Sequence, residues 1–143
     1  MPALRITNHT RNSVLATQAQ IANTPEFRLR GLIGVRESEF QPGAGLYFPE
    51  CNAIHTVEMS MPIDVLFIDL LKKRIQKSVS CAEPGCHFNT IRIPKEICAV
   101  LELPAGVIGM TGTQAGDVVV IMSSTHCSQE ELNQVGAISW PRL

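Results

Sequence analysis

Cys-Asn-Ala-Ile-His-Thr-Val-Glu-Met-Ser-Met-Pro-Ile-Asp-Val-Leu-Phe-Ile-Asp, residues 51–69, combines the densest β signal in the chain with its most unusual polar residues. Ile54, Thr56 and Val57 in its first half, and Ile63, Val65, Phe67 and Ile68 in its second, are β-branched or aromatic types that fit a pleated surface. The stretch reads as two strands, Ala53 to Met59 and Ile63 to Asp69, joined by Ser60-Met61-Pro62. Proline lies in the connection, where no ladder hydrogen bond is lost. A hairpin or a bent double strand is expected. With the register centred on the connection, His55, Val57 and Met59 face Phe67, Val65 and Ile63, while Glu58 comes opposite Asp64 on the other face.

Upstream, Leu4 to Ile6 opens as a short strand and Asn8 to Asn12 as a polar turn. Val14 to Ala22 alternates as a half-buried strand with Leu15, Thr17, Ala19 and Ile21 on one face. Thr24-Pro25-Glu26 supplies an N-cap, a proline at the first helical position and an acid at the positive helix end, so a helix is predicted from Pro25 to Ile33 and ended by Gly34. Gly31 inside it costs roughly 1 kcal/mol relative to Ala, which suits a close backbone approach. Pro42 to Gly45 is a turn whose Gly-x-Gly lacks the following helix and further glycines of a phosphate loop; Leu46 to Phe48 begins another strand.

Downstream, Arg74 to Val79 continues as a strand and Ser80 to Glu96 is a long loop marked by Pro84-Gly85 and Pro94. Cys98 to Leu103 and Val118 to Met122 are apolar strands, with an irregular stretch or short helical turn over Val107 to Gln114 between them. Six or more short strands, one helix and no strand–helix alternation argue against a parallel sheet. The expected class is mainly β (α+β): a small curved sheet or barrel-like single domain, its one helix near residues 25–33 plugged against one end. The domain spans residues 1–122, and residues 123–143 form a polar tail with a capped helical turn at Ser128 to Leu132.

With 143 residues the chain suits one domain, and folding at this size buries roughly 70% of the unfolded surface. A net charge of -1 and 5% aromatic residues give neither the electrostatic footprint nor the stacking platform of a nucleic-acid binder. Arg28 with Arg30, and Lys72-Lys73-Arg74, read as solvated surface charge. No apolar run approaches the ~20 residues of a membrane-spanning helix, and Met1 to Arg11 has no apolar signal region. The expectation is a cytoplasmic protein without membrane contact. Five cysteines, an odd number without secretory context, are expected as reduced thiols, Cys98 acting as a small buried hydrophobe.

Several residues could carry chemistry. Cys51-x-x-x-His55-x-x-x-Met59 has the ligand types copper(I) favours. On a strand rising ~3.3 Å per residue, however, positions four apart lie about 13 Å from each other and cannot share an ion. His55 is then a polar group held by a hydrogen bond on a mostly apolar face. Glu58 and Asp64, if adjacent, would raise one pKa or hold a hard cation; otherwise they are solvated charges near a turn. Cys81, Cys86 and His87, with His126 and Cys127, are the residues from which a zinc site could be built, but they lack knuckle spacing, so no metal or cofactor is assigned. Cys51 or Cys86 with a nearby His is all the chain offers for thiol catalysis.

Between Leu4 and Met122 the chain resembles the domain-of-unknown-function family 192. The resemblance lies in Arg30-Gly31-Leu32, Gly45-Leu46, the specific segment Pro62 to Asp69, Leu101-Glu102-Leu103-Pro104-Ala105-Gly106 and Gly116-Asp117. It implies a compact, β-rich single domain and brings no activity and no catalytic residue. Many members have an aromatic-Trp-Met triplet where this chain has Ile54-His55-Thr56, often carry an export signal, and have a Gly-containing turn where Leu70-Leu71-Lys72-Lys73 stands here.

The leading expectation is a non-enzymatic binding or accessory domain that contacts a small ligand or a protein partner near His55, Thr56, Asp64, Glu102 and Arg30. Nothing supplies a nucleophile, an oriented base and an oxyanion donor together. One alternative is a hydrolase or metal-dependent enzyme with His55 as base and Asp64, Glu58 or Glu102 as orienting carboxylates. Another is a structural or interaction domain with no ligand site. Free strand edges would make a homodimer plausible.

Overall fold

The computed structural model describes residues 3–124. Its strands are β1 (Ala3–Asn8), β2 (Ser13–Ile21), β3 (Gly43–Phe48), β4 (Ala53–His55), β5 (Ile63–Asp69), β6 (Arg74–Ala82), β7 (His87–Asn89), β8 (Cys98–Pro104) and β9 (Val119–Ser123); its helices are α1 (Pro25–Arg30) and α2 (Val107–Thr111). Seven strands form one sheet in the order β6-β5-β8-β3-β2-β1-β9, and β4 pairs with β7 in a separate ribbon. The sheet is curled into a half-barrel, so the expected mainly β class holds. Its two edges meet at one end, where Arg74 bridges Val118 and the Val119 N–H donates to the Lys73 carbonyl.

β5 and β8 lie inside the sheet, paired with each other, and are buried on both faces, which is why they read as nearly unbroken apolar runs. One face looks into a core to which every strand of the large sheet contributes, for example Ile6, Leu15, Tyr47, Leu66, Ile75, Leu101 and Val119. The outer face carries a second core, Leu46, Val65, Phe67 and Val100, covered by Leu32, Val35, Phe40, Met59 and Met61 from the connecting segments. Gly45 faces the inner core. A Cβ there would come within 3.2 Å of the Ala16 and Ala19 Cβ atoms and 3.3 Å of Leu101 Cδ1. Two of these neighbours have no side-chain torsion with which to yield, so Gly45→Ala is expected to cost about 1–2 kcal/mol, read as a lowered urea midpoint at unchanged slope.

The expected hairpin across residues 53–69 does not form. β4 ends at His55 and pairs with β7, His55 opposite His87, whereas β5 pairs with β6 and β8. Thr56 is drawn inward instead. Its Oγ1 donates to the Glu83 carbonyl and accepts the Cys86 N–H, its own N–H donates to the Cys86 carbonyl, and Glu58 turns the chain at φ 66°. Glu58 is exposed while Asp64 is buried on β5, so the expected carboxylate pair is not assembled. Residues 80–96, expected as one loop, contribute the end of β6, all of β7 and the start of a 3-10 turn at Lys95–Ile97.

Four further differences each have a physical cause. β2 and β3 pair in parallel, because α1 and a 3-10 turn at Glu37–Glu39 make a crossover between them. In β2 a register shift between Ala16 and Gln18 breaks the alternation, so Leu15, Ala16 and Ala19 are buried rather than every second residue to Ile21. Gly31 does not lie inside α1 but ends it: φ 51° with ψ -124° is closed to residues with a Cβ, and its N–H caps the Phe27 carbonyl. α1 rests Phe27 on the outer core, and it is α2 that plugs the sheet interior, with Val107 and Ile108. His126, Cys127 and the turn expected at 128–132 fall outside the described residues.

Candidate functional site

Glu102 is a carboxyl where β8 should carry an aliphatic residue. Its partners across the sheet are Leu46 on β3 and Val65 on β5, neither of which can bond it. The residue is 1% exposed, and its Oε1 is buried with no hydrogen-bond partner among the described residues. Leaving such a group unsatisfied costs about 1–3 kcal/mol. Burial pushes the Glu102 carboxyl up to about 8, so that at neutral pH it is mostly protonated.

Glu102 lines a cleft of about 150 Å³ between α1 with the chain that follows it, and the segment leading into and out of β4. Arg28, Leu29, Arg30, Gly31 and Ile33 come from the first side, and Phe48, Cys51, Ala53, Ile54, His55 and Met59 from the second. The local sequence places the arginines. Thr24 Oγ1 accepts the Phe27 N–H and starts α1, which is short enough to end its last turn on Arg28 and Arg30.

The two arginines differ in what they hold. Arg28 donates to the carbonyls of Pro49 at 2.6 Å, Glu50 at 3.3 Å and Ala22 at 3.4 Å, and its guanidinium lies 5.9 Å from the Phe48 ring centre. It clamps the chain that enters the β4 segment. Arg30 is half-buried and, among the described residues, its side chain makes no hydrogen bond or ion pair, while its carbonyl accepts the Ile33 N–H. Its charge is available to the cleft.

Cys51 donates from Sγ to the Ala53 carbonyl, and burial pushes its thiol up, against the opposing pull of Arg28. That is the reverse of an activated nucleophile. His55 Nδ1 accepts the Val57 N–H at 3.2 Å, which places the neutral ring's proton on Nε2 and leaves His55 as a donor. A base role would need that lone pair free.

Of the residues singled out from sequence, His55, Glu102 and Arg30 converge on the cleft, and so do Cys51 and Met59. The expected strand would have held these two apart from His55, but they come to one cleft because β4 ends at His55. Thr56 and Asp64 do not line it, and both are satisfied within the fold. Asp64 accepts three backbone N–H groups, from Cys81, Gly106 and Ile108. Cys81 is exposed, the Cys86 N–H is tied to Thr56, and the His87 ring sits 5.9 Å from that of His55. Among the described residues no group of three or more His, Cys, Asp or Glu is placed to hold a metal ion. Arg28 escaped the sequence reading because a half-buried arginine is indistinguishable from a solvated one until its carbonyl partners are known. Phe48 was legible only as a strand residue.

The family model DUF192, described as uncharacterized ACR, matches residues 6–121. No curated protein matches the chain. A crystal structure of a protein of unknown function from Novosphingobium aromaticivorans DSM 12444 is similar with a TM-score of 0.66 at 21% identity, over 84% of each chain. One from Sinorhizobium meliloti 1021, described as a "putative transcription regulator", is similar with a TM-score of 0.67 at 23% identity, over 83% of this chain and 92% of that one. Among the described residues no helix is long and apolar enough to cross a membrane.

Proposed function

We propose, from the premise that this chain belongs to the DUF192 family, that it is a non-enzymatic ligand-binding domain whose site is the cleft over Glu102. The observation that carries the reading is the buried, unpartnered Oε1 of Glu102 in a cleft that also presents the free guanidinium of Arg30. An interior position that an aliphatic side chain would fill at lower cost is occupied by a hydrogen-bonding group with nothing to bond at Oε1 among the described residues. The cleft is small, and its lining mixes apolar side chains with convergent polar groups of the kind that fix a ligand's orientation.

A second recess, about 260 Å³ between the β5–β6 turn and β9, is larger but lined by Ile68, Leu70, Lys73, Val119, Val120 and Ile121. It has apolar walls and one lysine, with no buried polar group to orient a ligand. The enzymatic alternative loses support from the engaged Nδ1 of His55 and from Asp64, whose oxygens are taken by backbone. The transcriptional description of the Sinorhizobium protein stays with that protein, since a net charge of -1 supplies no footprint for DNA.

Amide NMR of the whole chain against a mixed set of small cations, anions and neutral fragments tests the reading. Fragment-induced shifts are expected to gather on Arg30, Gly31, Cys51, Ile54 and Glu102 and to vanish in Ala53→Trp, where an exposed wall residue is replaced by one that fills the mouth. Shifts that gather instead around Ile68 and Val119, or that persist in Ala53→Trp, would sink it.

A further inference from the structure

Resting on the ligand-binding reading of the cleft, we propose that its ligand is a small organic monoanion: a carboxylate on an apolar body of roughly one ring, drawn in by Arg30 and hydrogen-bonded by Glu102. Charge, size and hydrogen-bonding capacity each narrow the class.

Charge comes first. The charged and titratable groups facing the cleft are Arg28 and Arg30 from α1, Cys51 and His55 from the β4 segment, and Glu102 from β8. The strands on either side of Glu102 present Leu46 and Val65 beside it and add no charge. With the thiol held neutral by burial and the buried carboxyl mostly protonated, the lining carries two fixed positive charges. A cationic ligand would have to ionise Glu102 while facing both guanidinium groups. An anion meets attraction from the guanidinium groups and leaves Glu102 in the state that burial already favours.

Hydrogen bonding follows from that state. A protonated carboxyl can donate, and Glu102 has no acceptor at Oε1 among the described residues. A carboxylate oxygen supplies one, in a short charge-assisted bond, while Arg30 supplies the planar fork that suits carboxylates. Arg28 is spent on three carbonyls and acts by its charge alone.

Size limits the rest of the molecule. The cleft encloses about 150 Å³, the volume of a cavity that holds one benzene molecule. Phe48, Ile54 and Met59 give it an apolar part for the body of a ligand, and Leu29, also in the lining, is 78% exposed. Benzoate is therefore the natural probe, with benzamide and benzylamine as neutral and cationic counterparts of the same shape.

Binding of the three probes to the full chain is measured by amide NMR and calorimetry at pH 7. Benzoate is expected to shift Arg30, Gly31, Cys51 and Glu102 and to bind at least tenfold more tightly than either counterpart. Arg30→Gln, a change at a half-exposed position, is expected to weaken it about tenfold. Benzoate affinity is expected to fall between pH 7 and pH 9, as Glu102 loses its proton, and Glu102→Gln to flatten that dependence. Benzamide or benzylamine binding at these residues as tightly as benzoate would overturn the anion assignment and leave the cleft as a ligand site. No shift at these residues from any probe at millimolar concentration would overturn both readings. Benzoate affinity unchanged in Arg30→Gln and flat with pH in the wild type would overturn the roles given to the two residues.

Discussion

Raising the pH from 6 to 9 is expected to lower the folding stability of this chain by roughly 3 kcal/mol, and Glu102→Gln is expected to remove most of that loss. A carboxyl pushed from 4.5 to about 8 by burial binds more protons folded than unfolded. Its contribution is therefore unaffected below the ordinary carboxylate range, erodes as pH rises from there, and stops eroding above 8. Gln has nearly the same shape and never ionises, so its unfolding midpoint should stay level where the wild type's declines. Burial also pushes Cys98 up to about 11, so its cost begins only near pH 9 and leaves the pH 6 to 8 slope to Glu102. Urea unfolding at each pH measures this directly. A wild-type stability flat between pH 6 and 8.5 would show that Glu102 ionises in the folded protein as readily as in the unfolded one and would overturn its raised pKa.

Asp64→Ala is expected to destabilise the fold by about 3–5 kcal/mol, because it strands three backbone donors inside the protein at once. Asp64 Oδ1 accepts the Cys81 N–H at 2.8 Å, and Oδ2 accepts those of Gly106 at 3.1 Å and Ile108 at 2.8 Å. The first pins β6 where Cys81 sits at φ 51°, and the other two seat the start of α2, whose Val107 and Ile108 close the inner core. Asp64→Asn should recover little, since its NH2 group would replace one of the accepting oxygens and face a donor. Hydrogen exchange at Cys81 and Ile108 should accelerate in both variants well beyond their neighbours. A loss below 1 kcal/mol in Asp64→Ala would mean that water takes over the three amides.

The candidate site was legible in part, and the division is physical. His55, Glu102 and Arg30 stand out in the chain because each is a polar type beside apolar or helical signals, and all three reach the cleft. Thr56 and Asp64 stood out for the same reason, yet their polar atoms are consumed by backbone groups from residues 81–86 and 106–108, partners far away in sequence. A buried polar residue looks the same in one dimension whether its partner is supplied by the fold or by a ligand.

What the sequence by itself determined is local: the unbroken apolar runs of β5 and β8, the Thr24-Pro25-Glu26 helix start and the mainly β class follow from residue type and spacing over a few positions. Only the tertiary structure decided that β4 leaves β5 for β7, that β2 and β3 run parallel, and that α2 rather than α1 plugs the interior. It also decided that Oε1 of Glu102, over a cleft, is a buried polar atom without a hydrogen-bond partner among the described residues. These outcomes depend on contacts between residues tens of positions apart, where competing pairings differ by little in local preference and burial selects among them.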